Sequence, residues 1–319
     1  MSKLSLQNAF NSYFHNKYTF DDFSNLNVEF EYKEIFYSKN TYSPSKKLKR
    51  YQRFLNLFLF DLMDVNENVV FSYRKGVNAY DAIYPHRKSK YIFTTDIKAF
   101  FLHIDINHIR ELILKNKKNF LIKKKEIVEN IDTIVNLVTY NGILPIGAPS
   151  SPKISNAYLY DLDGKIEKYC HENEIIYTRY SDDFIFSSNE KESFDRLELF
   201  IKSELKNLGF DKFTLNEKKT RIHKQGNRVV LLGLVITPSG HITVDKNIKK
   251  NIEVLLHFYV TDKDKFKDFL KKNYDSNLEK ISGILSHIKS IDSNFISKLK
   301  NKYGSFIVNS FIHRDIVDE

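Results

Sequence analysis

The sequence predicts an α+β protein, with helices laid on one face of a small antiparallel sheet and a helical tail after it. Three observations predict this class. Lys46–Met63 sets Leu48, Tyr51, Phe54, Leu55, Phe58 and Leu62 at helical spacing, opposite Lys47, Lys49, Arg50 and Arg53. Ile175–Tyr180 and Phe184–Ser187 are short apolar runs around a small acidic turn, a hairpin pattern. From Asp245 onward, aliphatic stripes alternate with charged faces at helical spacing.

The elements follow in order. Residues 1–60 read as helical at both ends, with an extended stretch near Phe30–Ser38. Tyr91–Thr95 reads as a buried strand, followed by apolar Phe100–Phe101 and a helix near Ile106–Lys115. Lys115–Ile131 reads as a Lys-rich helix with a solvated face. A helix is expected from Pro152 through Asp161 to Cys170, with Ser150–Ser151 able to cap it. A further helix is expected at 192–208, then strands near Val229–Ile236 and His241–Val244, turned at Pro238–Gly240. There is no internal repeat and no Gly/Pro/Ser-rich linker.

Composition excludes several classes. Hydrophobic residues make up 42% of the 319, too many for a disordered chain. The longest apolar run, Phe54–Met63, is broken by Asn56 and Asp61 and falls short of the roughly 18 residues of a membrane span. The N-terminus lacks the layout of a signal peptide, and one cysteine, Cys170, can form neither an internal disulfide nor a cysteine-rich zinc site. A soluble protein of the reducing cytoplasm is the expectation, with no membrane partner. Fifty Lys and Arg against 40 Asp and Glu give +10, and a pI near 9.2 suits a polyanionic partner. The abundance of Lys, Asn and Ile is also what an AT-rich genome produces without any function.

The chemistry-bearing residues are acidic. Tyr180-Ser181-Asp182-Asp183 puts two adjacent carboxylates in a tight turn, where they repel unless a cation is near. Asp96 closes the strand Tyr91–Thr95, 86 residues upstream of Asp182. The three together could hold two divalent ions about 4 Å apart, able to activate a hydroxyl and stabilise a leaving pyrophosphate. Between them lies Leu144-Pro145-Ile146-Gly147-Ala148-Pro149-Ser150-Ser151-Pro152, in which Gly147 lets a backbone approach a ligand closely. No histidine pair has metal-ligand spacing, and the histidines read as structural or surface residues.

Asp96-Ile97-Lys98-Ala99-Phe100-Phe101, the Leu-Pro-x-Gly-Ala-Pro-Ser-Ser-Pro loop and Tyr-Ser-Asp-Asp resemble successive motifs A, B and C of reverse transcriptases. Leu215-Asn216-Glu217-Lys218-Lys219-Thr220 resembles motif D, and Leu232-Gly233-Leu234-Val235 the primer-grip hairpin. Within the family the chain most resembles the compact bacterial retron enzymes, supported by Thr178-Arg179-Tyr180, Pro85-His86 and the tail residues His287, Asn294-Phe295-Ile296 and Lys302-Tyr303. Three departures stand out. Ile146 replaces a common Gln, and Lys39 is the nearest stand-in for the fingers cation that clamps a triphosphate. Ala82-Ile83-Tyr84-Pro85-His86 and Leu231-Leu232-Gly233 stand where retron enzymes usually have Asn-Ala-x-x-His and Val-Thr-Gly.

The resemblance implies a right-hand polymerase: N-terminal helices and fingers at 1–90, a palm at 91–244 that includes part of the fingers near 115–145, and a helical thumb at 245–319. It implies two Mg²⁺ ions, replaceable by Mn²⁺, on Asp96, Asp182 and Asp183, with the Ile97 carbonyl as an extra ligand. Lys219 would protonate pyrophosphate, and Phe101 would exclude a ribose 2′-OH. Ile146, Gly147, Ala148, Pro149, Tyr180, Ser181 and Lys39 would face substrate or primer, and Leu232, Gly233 and Leu234 would grip the primer. The implied partners are a structured noncoding RNA as template and primer, an RNA–DNA duplex, dNTPs, a separate effector protein and host RNase H, in an anti-phage defence system. Two alternatives stay open at this point: a non-retron defence-associated reverse transcriptase with protein-primed or untemplated synthesis, and a catalytically silent RNA-binding palm.

Overall fold

The computed structural model describes residues 3–35, 40–208 and 212–314. Lys39 lies outside them, so the fingers cation expected there has no structural description. The chain divides into two compact units, Met1–Asn78 with Tyr91–Ile222, and Ala79–Lys90 with His223–Glu319.

The first unit begins with strands β1 (Tyr32–Glu34) and β2 (Tyr42–Pro44), paired antiparallel, and the helix Lys46–Phe58. Ser45 starts that helix by accepting from the Leu48 amide. Its apolar stripe, Leu48, Tyr51, Phe54 and Leu55, is fully buried, and Phe54 and Tyr51 meet Phe10 of the N-terminal helix Leu6–Phe14 at 5.5 and 5.7 Å between ring centroids. The N-terminal residues thus complete an aromatic core.

The central sheet of this unit is made of β3 (Tyr91–Asp96), β4 (Ile176–Tyr180), β5 (Asp183–Ser188) and the edge strand β6 (Arg221–Lys224), on which the chain leaves the unit. β5 lies between β3 and β4, antiparallel to both. The order is not sequential: a mainly helical stretch, residues 100–172, separates β3 from β4 along the chain, its last two helices being Ser151–Tyr158 and Tyr160–Glu172.

Two expected helices are broken. The Lys-rich segment after Lys115 is not one helix: helix Ile106–Asn116 ends, and the chain resumes helix only at Lys124–Glu129 and Ile131–Val138. Between them Phe120 and Ile122 are fully buried, and the backbone pairs with Leu4 through Leu4 N to Leu121 O (3.1 Å) and Lys123 N to Leu4 O (2.9 Å). Two buried apolar side chains outweigh the helix propensity of the lysines around them. The helix expected over 152–170 likewise breaks at Leu159. Its start also differs, since Ser150 makes no capping bond and Ser151 Oγ donates to Pro145 O at 2.6 Å.

In the second unit, β7 (Val229–Leu231), β8 (Leu234–Ile236) and β9 (Ile242–Val244) form an antiparallel sheet. The strands expected near 229–236 form a hairpin, as the resemblance at Leu232–Val235 implies, turned at Leu232 and Gly233 with φ of 50° and 78°. Helices follow at Lys246–Thr261, Lys263–Tyr274, Leu278–Ile291, Ser293–Tyr303 and Ser305–His313. Asp245, Asp262, Asn277 and Asp292 start the first four by accepting backbone amides, so the boundaries are written into the sequence. Lys250, Lys263, Lys265, Lys267, Lys271 and Lys272 are exposed. His86 is fully buried, and burial alone lowers its pKa to about 3, which keeps it neutral. Among the described residues no helix is long and apolar enough to cross a membrane.

Candidate active site

The acidic residues meet because of strand register. β3 and β5 pair so that Asp96 stands opposite Asp183, and β4 pairs with β5 so that Tyr180 also stands opposite Asp183. Ser181 and Asp182 are then the two loop residues of a tight hairpin. Ser181 takes φ 60°, a left-handed conformation that costs a non-glycine residue about 1–3 kcal/mol.

A buried network holds that turn. Arg179, fully buried, donates Nε and Nη2 to the two oxygens of buried Asp163 at 2.8 and 2.6 Å, and Nη1 to Ser181 O at 2.8 Å. Tyr177 donates its hydroxyl to Asp163 Oδ1 at 2.7 Å, and Asn156 accepts from the guanidinium at 3.2 Å. Ser181 N donates to Ser72 Oγ at 2.7 Å, and the Tyr73 and Ser181 hydroxyls are 3.0 Å apart. Arg179 thus makes both a structural ion pair and a backbone contact. The sequence reading named Arg179 within the string Thr178-Arg179-Tyr180. It missed Ser72, Tyr73, Asn156 and Asp163, since none carries a local pattern and only the fold brings them to the turn.

Asp96 is 3% exposed. Its Oδ2 accepts from Lys219 Nζ at 2.6 Å, while its Oδ1 is buried with no hydrogen-bond partner. The motif D stretch is laid beside Asp96 by the backbone: Lys98 N donates to Thr214 O at 2.9 Å and Asn216 N to Asp96 O at 2.8 Å. Ile97, buried, bridges to Leu215 between those bonds, so its carbonyl lies outside that pairing. Lys219 is therefore more than a surface lysine. Its bond to Asp96, working against partial desolvation, raises its pKa and keeps it protonated. Burial first, then Asp182 and Asp96, push the Asp183 carboxyl up to about 6, with Lys219 opposing.

Among the described residues no three acidic, histidine or cysteine side chains converge into a ready-made metal cage. The donor set nonetheless fits a hard divalent cation. Asp96 Oδ1 is an orphaned buried acceptor, and Asp183 is a carboxyl whose ionisation nearby negative charge opposes. Mg²⁺ characteristically takes one or two carboxylates and completes its shell with substrate phosphates, which asks for no closed cage.

The other expected residues fall as follows. Ala99 turns the chain at φ 50°, leaving Phe100 buried and Phe101 half-buried against the core. Gly147 is exposed at φ 103°, and a Cβ there would stand 2.3 Å from Tyr42 O. The close backbone approach it permits is thus to the protein's own β2, fixed by Tyr42 N to Ile146 O at 2.8 Å. Ile146 and Pro149 are half-buried, but Ala148 is packed in the core at 2% exposure. Tyr180, Ser181 and Asp182 are half-buried around the turn. Leu232, Gly233 and Leu234 belong to the second unit, where Leu234 is fully buried.

A reverse transcriptase (RNA-dependent DNA polymerase) family profile matches residues 40–236, the span that carries all of this geometry. The chain is 30% identical over 273 residues to the Retron Ec73 reverse transcriptase of Escherichia coli, covering 83% of each. It is 28% identical over 280 residues to the Retron Ec86 reverse transcriptase of the same species, covering 85% of this chain and 79% of that one. A solved telomerase structure from Candida albicans is similar at 13% identity and a TM-score of 0.45, over 85% of this chain and 54% of that chain. With the family profile covering more than half of the chain and retron enzymes similar along most of its length, the chain belongs to the retron-type reverse transcriptases, which are RNA-directed DNA polymerases.

Proposed function

We propose that the chain copies a structured noncoding RNA encoded beside it, starting from a guanosine 2′-OH of that RNA and yielding a branched RNA–DNA product. The observation that carries the catalytic part is the β3–β5 register, which sets Asp96 opposite Asp183 with Asp182 in the adjoining turn. Asp96, Asp182 and Asp183 would hold two Mg²⁺ ions, or Mn²⁺, with the Ile97 carbonyl as a further ligand. When bound, these ions supply Lewis acidity that favours an ionised primer hydroxyl and spreads the charge of the leaving pyrophosphate.

The rest is work for the chain itself. The hydroxyl gives up its proton to solvent, and its oxygen bonds to the α-phosphorus of the dNTP as the bond to pyrophosphate breaks in line. Lys219 Nζ, protonated beside Asp96, gives its proton to the departing pyrophosphate. Half-buried Phe101, its edge fixed by the core, excludes a 2′-OH. The loop around Ile146, Gly147 and Pro149 and the residues Tyr180 and Ser181 line the substrate, and Leu232–Leu234 grip the primer. We assign fingers to 1–90 with about 115–145, palm to 91–244 and thumb to 245–319, the exposed thumb lysines gripping the duplex. We further assign the chain to a cytoplasmic anti-phage defence system with a separate effector protein, in which host RNase H removes template RNA.

The test is to purify the protein from cells carrying its native flanking DNA and to sequence what co-purifies, beside an Asp182→Ala/Asp183→Ala control. One RNA joined covalently to short DNA, absent from the control, is expected. DNA without branched RNA would assign protein-primed or untemplated synthesis. RNA held equally by both proteins with no DNA would leave only a binder.

A further inference from the structure

The dipeptide Ser72-Tyr73 holds the acidic turn from outside the five sequence strings that carry the resemblance. The chain just before it runs along β4, with Phe71 N donating to Arg179 O at 2.9 Å and Arg179 N to Val69 O at 2.7 Å. Ser72 Oγ then takes the Ser181 amide at 2.7 Å, and Tyr73 Oη stands 3.0 Å from Ser181 Oγ. One dipeptide thus holds both the backbone and the side chain of the residue before Asp182. The dipeptide is itself held, by Asn156 Nδ2 to Ser72 O at 2.7 Å and by Lys153 Nζ to Tyr73 O at 3.0 Å, with Lys153 also paired to Asp61 at 2.7 Å.

Tyr73 and Ser181 both lie in the left-handed region, at φ 55° and 60°. Residues other than glycine persist there only where their surroundings over-determine them. Tyr73 is also 40% exposed, so core filling does not account for it. A phenylalanine would serve any packing role equally, and the hydroxyl is what reaches the turn.

We propose that Tyr73 is a positioning residue for DNA synthesis, its hydroxyl fixing Ser181 and thereby the placement of the Asp182 and Asp183 carboxylates. This rests on the assignment of those carboxylates to catalysis.

The test compares wild type, Tyr73→Phe, Ser181→Ala and the double variant in primer extension on an RNA template, titrating Mg²⁺ and dNTP separately. Losing one hydrogen bond to the turn is expected to lower kcat about 3–10-fold and to raise the Mg²⁺ concentration for half-maximal rate about threefold. KM for dNTP stays within about twofold, and the double variant is no slower than the slower single one, since both remove the same bond. A wild-type kcat and Mg²⁺ midpoint in Tyr73→Phe overturn the proposal, as do losses that multiply in the double variant. So does a Tm drop of more than about 5 °C accompanying the slower rate, which would make Tyr73 a folding residue. Wild-type protein that fails to make DNA, and fails equally as Asp182→Ala, removes the catalytic assignment and this proposal with it. Wild type that works while Tyr73→Phe matches it removes only this proposal.

Discussion

Two ion pairs of the first unit have the same N···O distance, 2.6 Å, and opposite settings. Arg179–Asp163 is wholly buried on both sides, while Lys219–Asp96 joins a side chain 60% exposed to one 4% exposed. The first uses a planar fork on both carboxylate oxygens and is closed by Tyr177, Asn156 and Ser181. The second uses a point charge on one oxygen and leaves Asp96 Oδ1 without a partner. A closed pair specifies geometry, because neither charge can leave without stranding the other. An open pair can change partners, which is what the proposed binding of phosphates and release of a proton would require.

The comparison breaks first on stability. Arg179→Met leaves a buried carboxylate unpaired and is expected to cost about 3–5 kcal/mol of unfolding free energy in urea denaturation. Lys219→Met also leaves Asp96 without its charged partner, but it removes only one bond from a lysine already 60% exposed and is expected to cost less, about 1–2 kcal/mol. Equal costs would erase the distinction between the pairs. On activity the order reverses. Asp96→Asn keeps the side chain's shape and is expected to slow DNA synthesis about 10²–10³-fold with a near-native melting curve. Lys219→Ala comes next, slowing kcat by about 10–100-fold with little change in KM for dNTP, the pattern of a lost proton donor. A Lys219→Ala enzyme of wild-type kcat would leave Lys219 as an exposed partner of Asp96 with no part in proton transfer.

The same contrast explains how much was legible in the sequence. The open pair was readable: Asp96, Asp182, Asp183 and Lys219 lie in short strings whose order along the chain is itself a pattern. The closed pair was only half readable, because Arg179 sits next to the acidic turn, whereas Asp163 lies in the first turn of a helix two residues after Asp161 and only the packing of Tyr160–Glu172 selects it. The helical tail begins at Asp245, where it was expected, but the later starts capped by Asp262, Asn277 and Asp292 were not separated in the sequence reading. The Lys115–Ile131 segment was misread because composition favoured helix, and two buried residues, Phe120 and Ile122, decided otherwise. Gly147 was singled out correctly as a close-approach residue, but the approaching group is Tyr42 O, a contact no local pattern encodes.

The smallest expected effect is on pH, and it sharpens the comparison most directly. Burial, Asp182 and Asp96 raise the Asp183 pKa to about 6, against about 3.9 for an aspartate in the unfolded chain. Between about pH 4 and 6 the folded protein therefore binds more protons than the unfolded one. Raising the pH through that window lowers stability, and the contribution, complete below about pH 4, is gone above about 6. Asp183 is half-buried, so solvent screening leaves an effect on the order of 1 kcal/mol. Urea midpoints at pH 4, 5, 6 and 7 should fall more for wild type than for Asp183→Asn, which has no charge to gain. Mg²⁺ added at pH 7 should restore wild type and leave Asp183→Asn less changed, because a bound cation favours the ionised carboxylate that the fold alone opposes. Identical pH profiles for the two proteins would place the acidic turn with the closed pair, as structure already satisfied rather than charge held open for a partner.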